Sequence, residues 1–411
     1  VHEKYLSKRS LSIRNKIIET LKRIKNMRVA WDCSTAAFEQ KTGTGVYVEE
    51  LIKHYVKLFP KDKVTHSYRL SRRIKGRPYL LELSKNSTRD TIIDPLTFLS
   101  GLKYEIFHGL NSRLPVLSGC KKIATIHDLF SIKSKFSDPI FLKDQTVKLE
   151  KMIARADHLI VPATFTADIL VNEFGIKKQN VTVIGQGVRD VFLKMRDRAE
   201  CKDKIRNKFS IQNPFILFVG TLEKRKNVTG LIQSYISLSK KQIYSNEKVY
   251  SKEHIYAKEQ KSLPDLVLVG HPGYLFSEIS KEIESSGLKD KIKILGFVDE
   301  EWLAELYTAC ELFAFISLEE GFGIPLIEAM ACGAPVVCSN TTSLPEASGG
   351  HAWEVSPNKP DEVAAVLEEV LMRTPKIIDK ASLGQKFALH ETWGKVARLT
   401  REVYQEVLPR R

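Results

Sequence analysis

The chain has 411 residues, 43% of them hydrophobic and 27% charged, proportions of a globular protein rather than a disordered or fibrous one. That length exceeds one ordinary core and suits two domains of roughly 180 residues each, and no stretch approaches the ~20 apolar residues that span a bilayer. A formal net charge of +15 attracts anions, whether nucleic acid, an acidic membrane face or a phosphorylated substrate.

Residues 1–26 hold eight Lys/Arg against two Glu, with Ile13, Ile17, Leu21 and Ile24 at helical spacing. This is a basic amphipathic segment, and periodicity does not decide whether its apolar stripe meets lipid or the domain behind it. It has no apolar core or cleavage site of a secretion signal, so the chain reads as cytoplasmic, with the inner face of the cell membrane as its anionic surface. Six scattered cysteines, none in a C-x-x-C pair, read as reduced thiols, and no structural metal is expected.

From Met27 onward, short apolar strands alternate with amphipathic helices, as in parallel sheets with crossover helices. Strands are expected near Arg28–Asp32, Val64–Leu70, Glu105–His108, Lys122–Ile126, Leu159–Val161 and Val181–Ile184. Helices are expected near Val46–Leu58, Asp144–Ala156 and Thr166–Phe174. A basic run, Arg69, Arg72, Arg73, Lys75 and Arg77, interrupts this half as a solvated loop or a contact for lipid phosphate. Residues Arg189–Asn213 are charged and poor in apolar periodicity, so they read as the linker. The scheme repeats with strands near Phe215–Gly220, Leu266–Gly270, Ile292–Leu295, Leu312–Ile316 and Pro335–Ser339. The matching helices lie near Asn227–Lys240, Phe276–Ser286, Glu300–Ala309 and Pro325–Cys332. Lys240–Pro264 is longer than ordinary connections and reads as a surface insertion. The domains expected are 27–205 and 206–390, with a helix at 391–411 returning toward the first. Open parallel sheets bind ligands beyond the carboxyl ends of their strands, so two in series suggest a cleft.

The most informative stretch runs from Ser317 to Glu346. A buried strand ends near Ser317, a glycine loop follows, and a helix starts close to Pro325 with Gly333 beyond its end. Gly321 and Gly323 let backbone approach a ligand, and the helix N-terminus offers N–H groups to a diphosphate. Glu320 and Glu328 supply carboxylates of the kind that accept ribose or sugar hydroxyls. The wording E-G-F-G-I-P-L-I-E-A-M-A-C-G-A-P-V-V resembles the E-x7-E signature of the family-4 (group 1) glycosyltransferases, and S-L-P-E at Ser343–Glu346 fits it too.

That resemblance covers nearly the whole chain from Met27 and implies a GT-B architecture, two Rossmann-like α/β domains facing a cleft. It implies that Glu320 contacts the donor sugar, Glu328 holds the ribose, and the amides of Phe322 and Gly323 lie near sugar and phosphate. G-T-L-E-K-R-K-N (Gly220–Asn227) resembles the family's diphosphate clamp, with Lys226 and then Arg225 as phosphate ligands; Thr221 stands where many relatives carry arginine. L-G-F-V-D (Leu295–Asp299) resembles the loop framing the base through backbone at Phe297 and Val298. In T-G-T-G-V-Y (Thr42–Tyr47), which lacks the third glycine of a dinucleotide fingerprint, Gly45 is the residue placed opposite the phosphates. A lone histidine in T-I-H-D-L reads as structural; the resemblance makes His127 a catalytic-site residue beside the sugar, with Asp128 capping the next turn. H-G-L-N-S-R-L-P (His108–Pro115) resembles an acceptor-side loop, with Asn111 as the contact. Ala163 and Gln186 stand where serine and asparagine are frequent.

The resemblance implies transfer of a hexose with retention from a nucleotide-diphospho-sugar, best matched by GDP-mannose. The acceptor is a saccharide or a polyprenyl-linked saccharide of surface-polysaccharide synthesis. No carboxylate is placed as a glycosidic nucleophile, so same-face attack without a metal or other cofactor is expected, with Lys226, Arg225 and the helix dipole stabilising the leaving diphosphate. The alternatives are a sugar-nucleotide epimerase or inverting transferase of the same architecture, an inactive scaffold, and a basic nucleic-acid binder. The last is disfavoured because the basic residues do not interleave with an aromatic platform, so no nucleic-acid partner is expected.

Overall fold

The computed structural model describes residues 26–39, 42–93, 101–111, 113–130, 139–244, 263–274 and 276–409, with backbone alone for 139–145 and 241–244. The basic N-terminal segment and most of the Lys240–Pro264 insertion lie outside the described residues.

The first sheet contains β1 (Arg28–Asp32), β2 (Lys63–Arg69), β3 (Ser87–Ile92), β4 (Ile106–Gly109), β5 (Lys121–Thr125), β6 (His158–Val161) and β7 (Val181–Val183). All are parallel, in the order β3-β2-β1-β4-β5-β6-β7. Its helices are α1 (Gly43–Leu58), α2 (Leu70–Lys75), α3 (Pro139–Ile153) and α4 (Thr164–Phe174). The sheet is covered on both faces, as parallel sheets require, by two apolar clusters centred on Trp31 and Phe107. β3 was not expected: S-T-R-D-T-I has no apolar run, because an edge strand with an exposed face needs none.

The second sheet contains β8 (Phe215–Val219), β9 (Asp265–Val269), β10 (Ile292–Gly296), β11 (Leu312–Phe315), β12 (Val336–Ser339) and β13 (Trp353–Val355), in the order β10-β9-β8-β11-β12-β13. Its helices are α5 (Arg198–Phe209), α6 (Val228–Tyr244), α7 (Phe276–Ser285), α8 (Glu300–Ala309), α9 (Ile324–Ala331), α10 (Leu344–Ser348), α11 (Pro360–Leu371) and α12 (Pro375–His390). The central strands F-I-L-F-V and D-L-V-L-V are buried along almost their whole length.

The stretch read as a linker is a helix over much of its length, which corrects that reading. Asp197 caps α5 by accepting from the Glu200 N–H at 2.9 Å. Only Cys201 and Ile205, one turn apart, are buried, too few for an apolar stripe to show in sequence. The helix is also held by ion pairs, with Lys202 and Arg198 both on Glu311. Ile184 packs in the first core, whereas Val188, Val191, Phe192, Cys201 and Ile205 pack in the second. The change of core therefore falls between 184 and 188, ahead of the 205/206 boundary drawn from charge.

The chain crosses back near residue 391. Val188 N–H donates to Glu391 O at 2.7 Å, and Val188 bridges Thr392. A β-carbon on Gly187 would stand 2.4 Å from Trp393 N, so the two crossings touch where only glycine fits. The last helix, α13 (Trp393–Val407), then packs on the first domain through Trp393, Val396 and Tyr404.

Candidate functional site

Strand order reverses between β1 and β4 in the first sheet and between β8 and β11 in the second. These are the positions where open α/β sheets form ligand crevices. The loops leaving β8 and β11 carry the K-R-K-N turn and the E-G-F-G loop; those leaving β1, β4 and β5 carry the T-G-T-G turn, Asn111 and His127.

The K-R-K-N turn is fastened by both side chain and backbone. Asn227 adopts the left-handed conformation at φ 56°, and its side-chain Nδ2 donates to Ile316 O at 3.1 Å and Pro357 O at 2.8 Å. Leu318 N–H donates to Arg225 O at 2.9 Å. Lys226 is thereby set against the Glu320 carboxylate, to which its ammonium donates. Arg225 Nη1 lies 3.5 Å from the other Glu320 oxygen and donates to Glu319 O at 2.8 Å. Its Nη2 donates to Glu223 at 2.9 Å. Burial by itself raises the Glu320 carboxyl; Lys226 and Arg225 outweigh it and hold the group below the ordinary carboxylate value.

The S-L-P-E turn supports this loop from below. Ser343 Oγ donates to Glu320 O at 2.7 Å. Gly323 caps α9 at φ 102°, a conformation closed to other residues, and Pro325 follows in the first turn. Phe322 is buried, with its ring 3.3 Å from where a β-carbon of Gly185 would lie.

Glu328, one turn into α9, is buried and accepts from Arg189 Nε at 2.7 Å. Burial raises its carboxyl above the ordinary value, and Arg189 only partly opposes this. The sequence reading missed Arg189, which lies at the first crossing immediately after I-G-Q-G-V. Its sole sequence signal was a charged residue beside a glycine-bounded crossing.

The first domain closes on this loop. A β-carbon on Gly321 would sit 2.1 Å from His127 O, and the Arg225 guanidinium lies 5.9 Å from the Phe130 ring centroid. His127 Nε2 meets Leu110 O at 2.7 Å. A carbonyl only accepts, so the proton sits on Nε2 and Nδ1 is the acceptor face. Burial lowers the His127 pKa, keeping the ring neutral, and the Tyr47 ring packs edge-on against it at 4.6 Å. Asp128 Oδ1 accepts from Phe130 N–H at 3.1 Å, the turn cap expected of it.

Gly45 is buried in the first turn of α1. Asn111 is half-buried, its Oδ1 enclosed without a hydrogen-bond partner among the described residues. Val298 is buried, and the neighbouring Phe297 is 60% exposed with the His271 ring stacked on it at 5.3 Å. Among the described residues, no hydrogen bond or ion pair joins the Phe297–Val298 loop to the Glu320 cluster. Thr164 was also missed. Its N–H donates to Glu346 Oε2 at 2.7 Å and its hydroxyl to Oε1 at 2.9 Å, a second contact between the domains.

Among the described residues, no group of three or more His, Cys, Asp or Glu is arranged to hold a metal ion. No described helix is long and apolar enough to cross a membrane.

Two family models match the chain. "Glycosyltransferase Family 4" covers residues 42–191 and "Glycosyl transferases group 1" covers 201–381. The chain is 29% identical to the Escherichia coli O-antigen chain mannosyltransferase B over 65% of each chain. It is also 29% identical to an Escherichia coli serotype-specific mannosyltransferase, WbdA, over 61% of this chain and 29% of the relative. The chain thus spans less than two thirds of either relative. Among solved structures, Anabaena HepE in complex with UDP superposes with a TM-score of 0.68 at 17% identity, covering 92% of this chain and all of that one. Sucrose-phosphate synthase of Thermosynechococcus elongatus gives 0.69 at 18% identity, covering 93% and 99%. At such identities the likeness concerns the fold, two parallel-sheet domains in the GT-B arrangement.

Proposed function

Starting from a chain that belongs to the family-4, group 1 glycosyltransferases, we propose that it transfers mannose from GDP-mannose to a saccharide acceptor with retention of configuration. The observation that carries this reading is the Lys226–Arg225–Glu320 cluster at the second switch point, faced across the cleft by His127. The mannosyl assignment is supported by the names of the relatives matched.

In this reading the diphosphate lies at the α9 N-terminus beside Lys226 and Arg225, whose charge and the helix dipole stabilise the leaving group. These fixed cations take the part that a divalent metal plays elsewhere, so no metal is required. Glu320 accepts from donor-sugar hydroxyls while Lys226 turns to phosphate. His127 Nδ1 accepts from a hydroxyl on the opposite side of the sugar, and Glu328 accepts from the ribose. The amides of Phe322 and Gly323 face the sugar and phosphates, Gly45 faces the phosphates, Val298 borders the base and Asn111 meets the acceptor. The acceptor hydroxyl attacks from the face the diphosphate leaves, and the departing phosphate oxygen takes its proton.

The acceptor is proposed to be a polyprenyl-linked saccharide at the inner face of the cell membrane. Support comes from α2, where Leu70 and Ile74 are 46% and 67% exposed beside Arg72, Arg73 and Lys75, a surface suited to anionic lipid.

A thermal-shift panel of nucleoside diphosphates and their sugars tests the donor, since a selective ligand stabilises the fold by mass action. GDP-mannose should give the largest shift. Product NMR should show the donor's anomeric configuration, with transfer surviving chelation; inversion would overturn the mechanism.

A further inference from the structure

Glu328 has one cationic partner among the described residues, and that cation comes from the crossing between the domains. Arg189 Nε donates to Glu328 Oε1 at 2.7 Å, and its Nη1 meets Glu300 Oε2 at 3.0 Å. The guanidinium also stacks over the Phe192 ring at 4.6 Å. Its backbone follows Val188, which is hydrogen-bonded to the returning crossing at Glu391. The side chain is therefore fixed at both ends, by the crossing and by its three contacts. No described hydrogen bond occupies Glu328 Oε2.

We propose that Arg189 is a positioning residue of the donor site: it holds the Glu328 carboxylate turned so that Oε2 accepts from the nucleotide ribose. The inference rests on the reading of Glu328 as the ribose ligand. The groups facing Glu328 explain why a cation is needed there. Burial raises its carboxyl, and Glu300 on α8 and Glu50 on α1 push it further up. Tyr307 on α8 and Cys332 after α9 also interact with it, and both are held neutral by burial. Arg189 opposes these effects through its charge and its hydrogen bond. Without it the carboxyl takes up a proton at a higher pH and presents a donor where the ribose needs an acceptor.

GDP binding should be measured by calorimetry between pH 6 and 9, with 2′,3′-dideoxy-GDP as the probe lacking both ribose hydroxyls. Arg189→Met should weaken GDP about tenfold at pH 7, the size of one hydrogen bond to a charged group, and the loss should shrink as the pH rises. Its affinity for the dideoxy probe should match that of the unsubstituted protein. Arg189→Lys should restore part of the GDP affinity. Equal losses for both probes, or unchanged GDP affinity, would overturn the inference. Glu328→Gln reports separately on the premise: if it binds GDP as tightly as the unsubstituted protein, the ribose reading fails, whatever Arg189 does. Thermal unfolding of each variant confirms that a folded protein is being titrated.

Discussion

The main-chain carbonyl of His127 occupies the space that a β-carbon on Gly321 would need, 2.1 Å from its ideal position. Two loops from different domains, each at a strand's carboxyl end, are therefore in backbone contact. Backbone cannot give way as the tip of a flexible side chain does. Gly321→Ala should force the loops apart by an ångström or more, the scale of misplacement that costs on the order of a hundredfold in rate. Transfer should fall by about that factor. Nucleotide affinity should stay within a few-fold, because Lys226 and Glu328 are untouched. Steady-state kinetics alongside GDP titration checks the separation.

Lys226 and Glu320 are both largely enclosed, with 13% and 8% of their side chains exposed. Removing one partner of such a pair leaves a buried charge and costs about 3–5 kcal/mol, whereas removing both costs far less. Lys226→Met should lower the urea midpoint sharply, although Arg225 keeps part of the compensation at 3.5 Å. Combining it with Glu320→Gln should restore most of the stability. Transfer should stay low in the double variant, by ~100-fold or more, because on the proposed reading the leaving diphosphate has lost one of its two cations and the sugar its Glu320 acceptor. Recovery of both properties together would assign the pair to folding alone.

Much of this arrangement was legible in the sequence because its causes are local. Buried strands such as Phe215–Val219 are continuous apolar runs, and the Gly323–Pro325 helix start is written in residues that punctuate helices. The family wording singled out Glu320 and Lys226, which lie on the loops after β11 and β8, and Glu328, which lies one turn into α9. What escaped had non-local causes. β3 is polar because it lies at an edge, and α5 is charged because its partners are Glu305 and Glu311, about a hundred residues on. Arg189 and Thr164 matter through carboxylates 139 and 182 residues away. No window of sequence contains both members of such a pair.

Hydrogen-bond direction fixes the state of His108. The Trp31 indole only donates, and it donates to Tyr404 Oη at 2.8 Å. With that bond made, the Tyr404 hydroxyl has its proton to give to His108 Nδ1 at 2.7 Å, an arrangement that leaves Nε2–H for Thr125 Oγ1 at 2.8 Å. Burial pushes His108 from the ordinary 6.5 down to about 3, and His66 down to about 4. The folded state thus binds fewer protons than the unfolded chain below pH 6.5. This contribution to stability is complete above that value and declines by about 1.4 kcal/mol per pH unit for each histidine, toward about pH 4 for His66 and about pH 3 for His108. Urea midpoints between pH 7 and pH 5 should fall, and His108→Gln should flatten the slope by one proton. A slope unchanged by the substitution would mean that His108 already titrates in the folded protein.

Helix α4 begins without a cap of its own, since Ala163 at that position offers no side-chain oxygen. Glu346 supplies it from the other domain, accepting from both the N–H and the hydroxyl of Thr164. The same S-L-P-E turn holds the Glu320 carbonyl through Ser343, so the cap couples closure of the domains to the donor loop. Glu346→Ala should leave GDP affinity nearly unchanged and lower transfer about fivefold, the effect of roughly 1 kcal/mol of exposed charge-assisted hydrogen bonding. Adding Ala163→Ser gives α4 a local cap worth about 1 kcal/mol. If the carboxylate acts only as a helix cap, this second substitution should restore both stability and transfer. If it straps the domains together, stability should return while transfer stays low, because a serine within the first domain does not reach the second. Denaturant midpoints and transfer rates of the single and double variants separate the two outcomes, and the bidentate contact across the cleft favours the second.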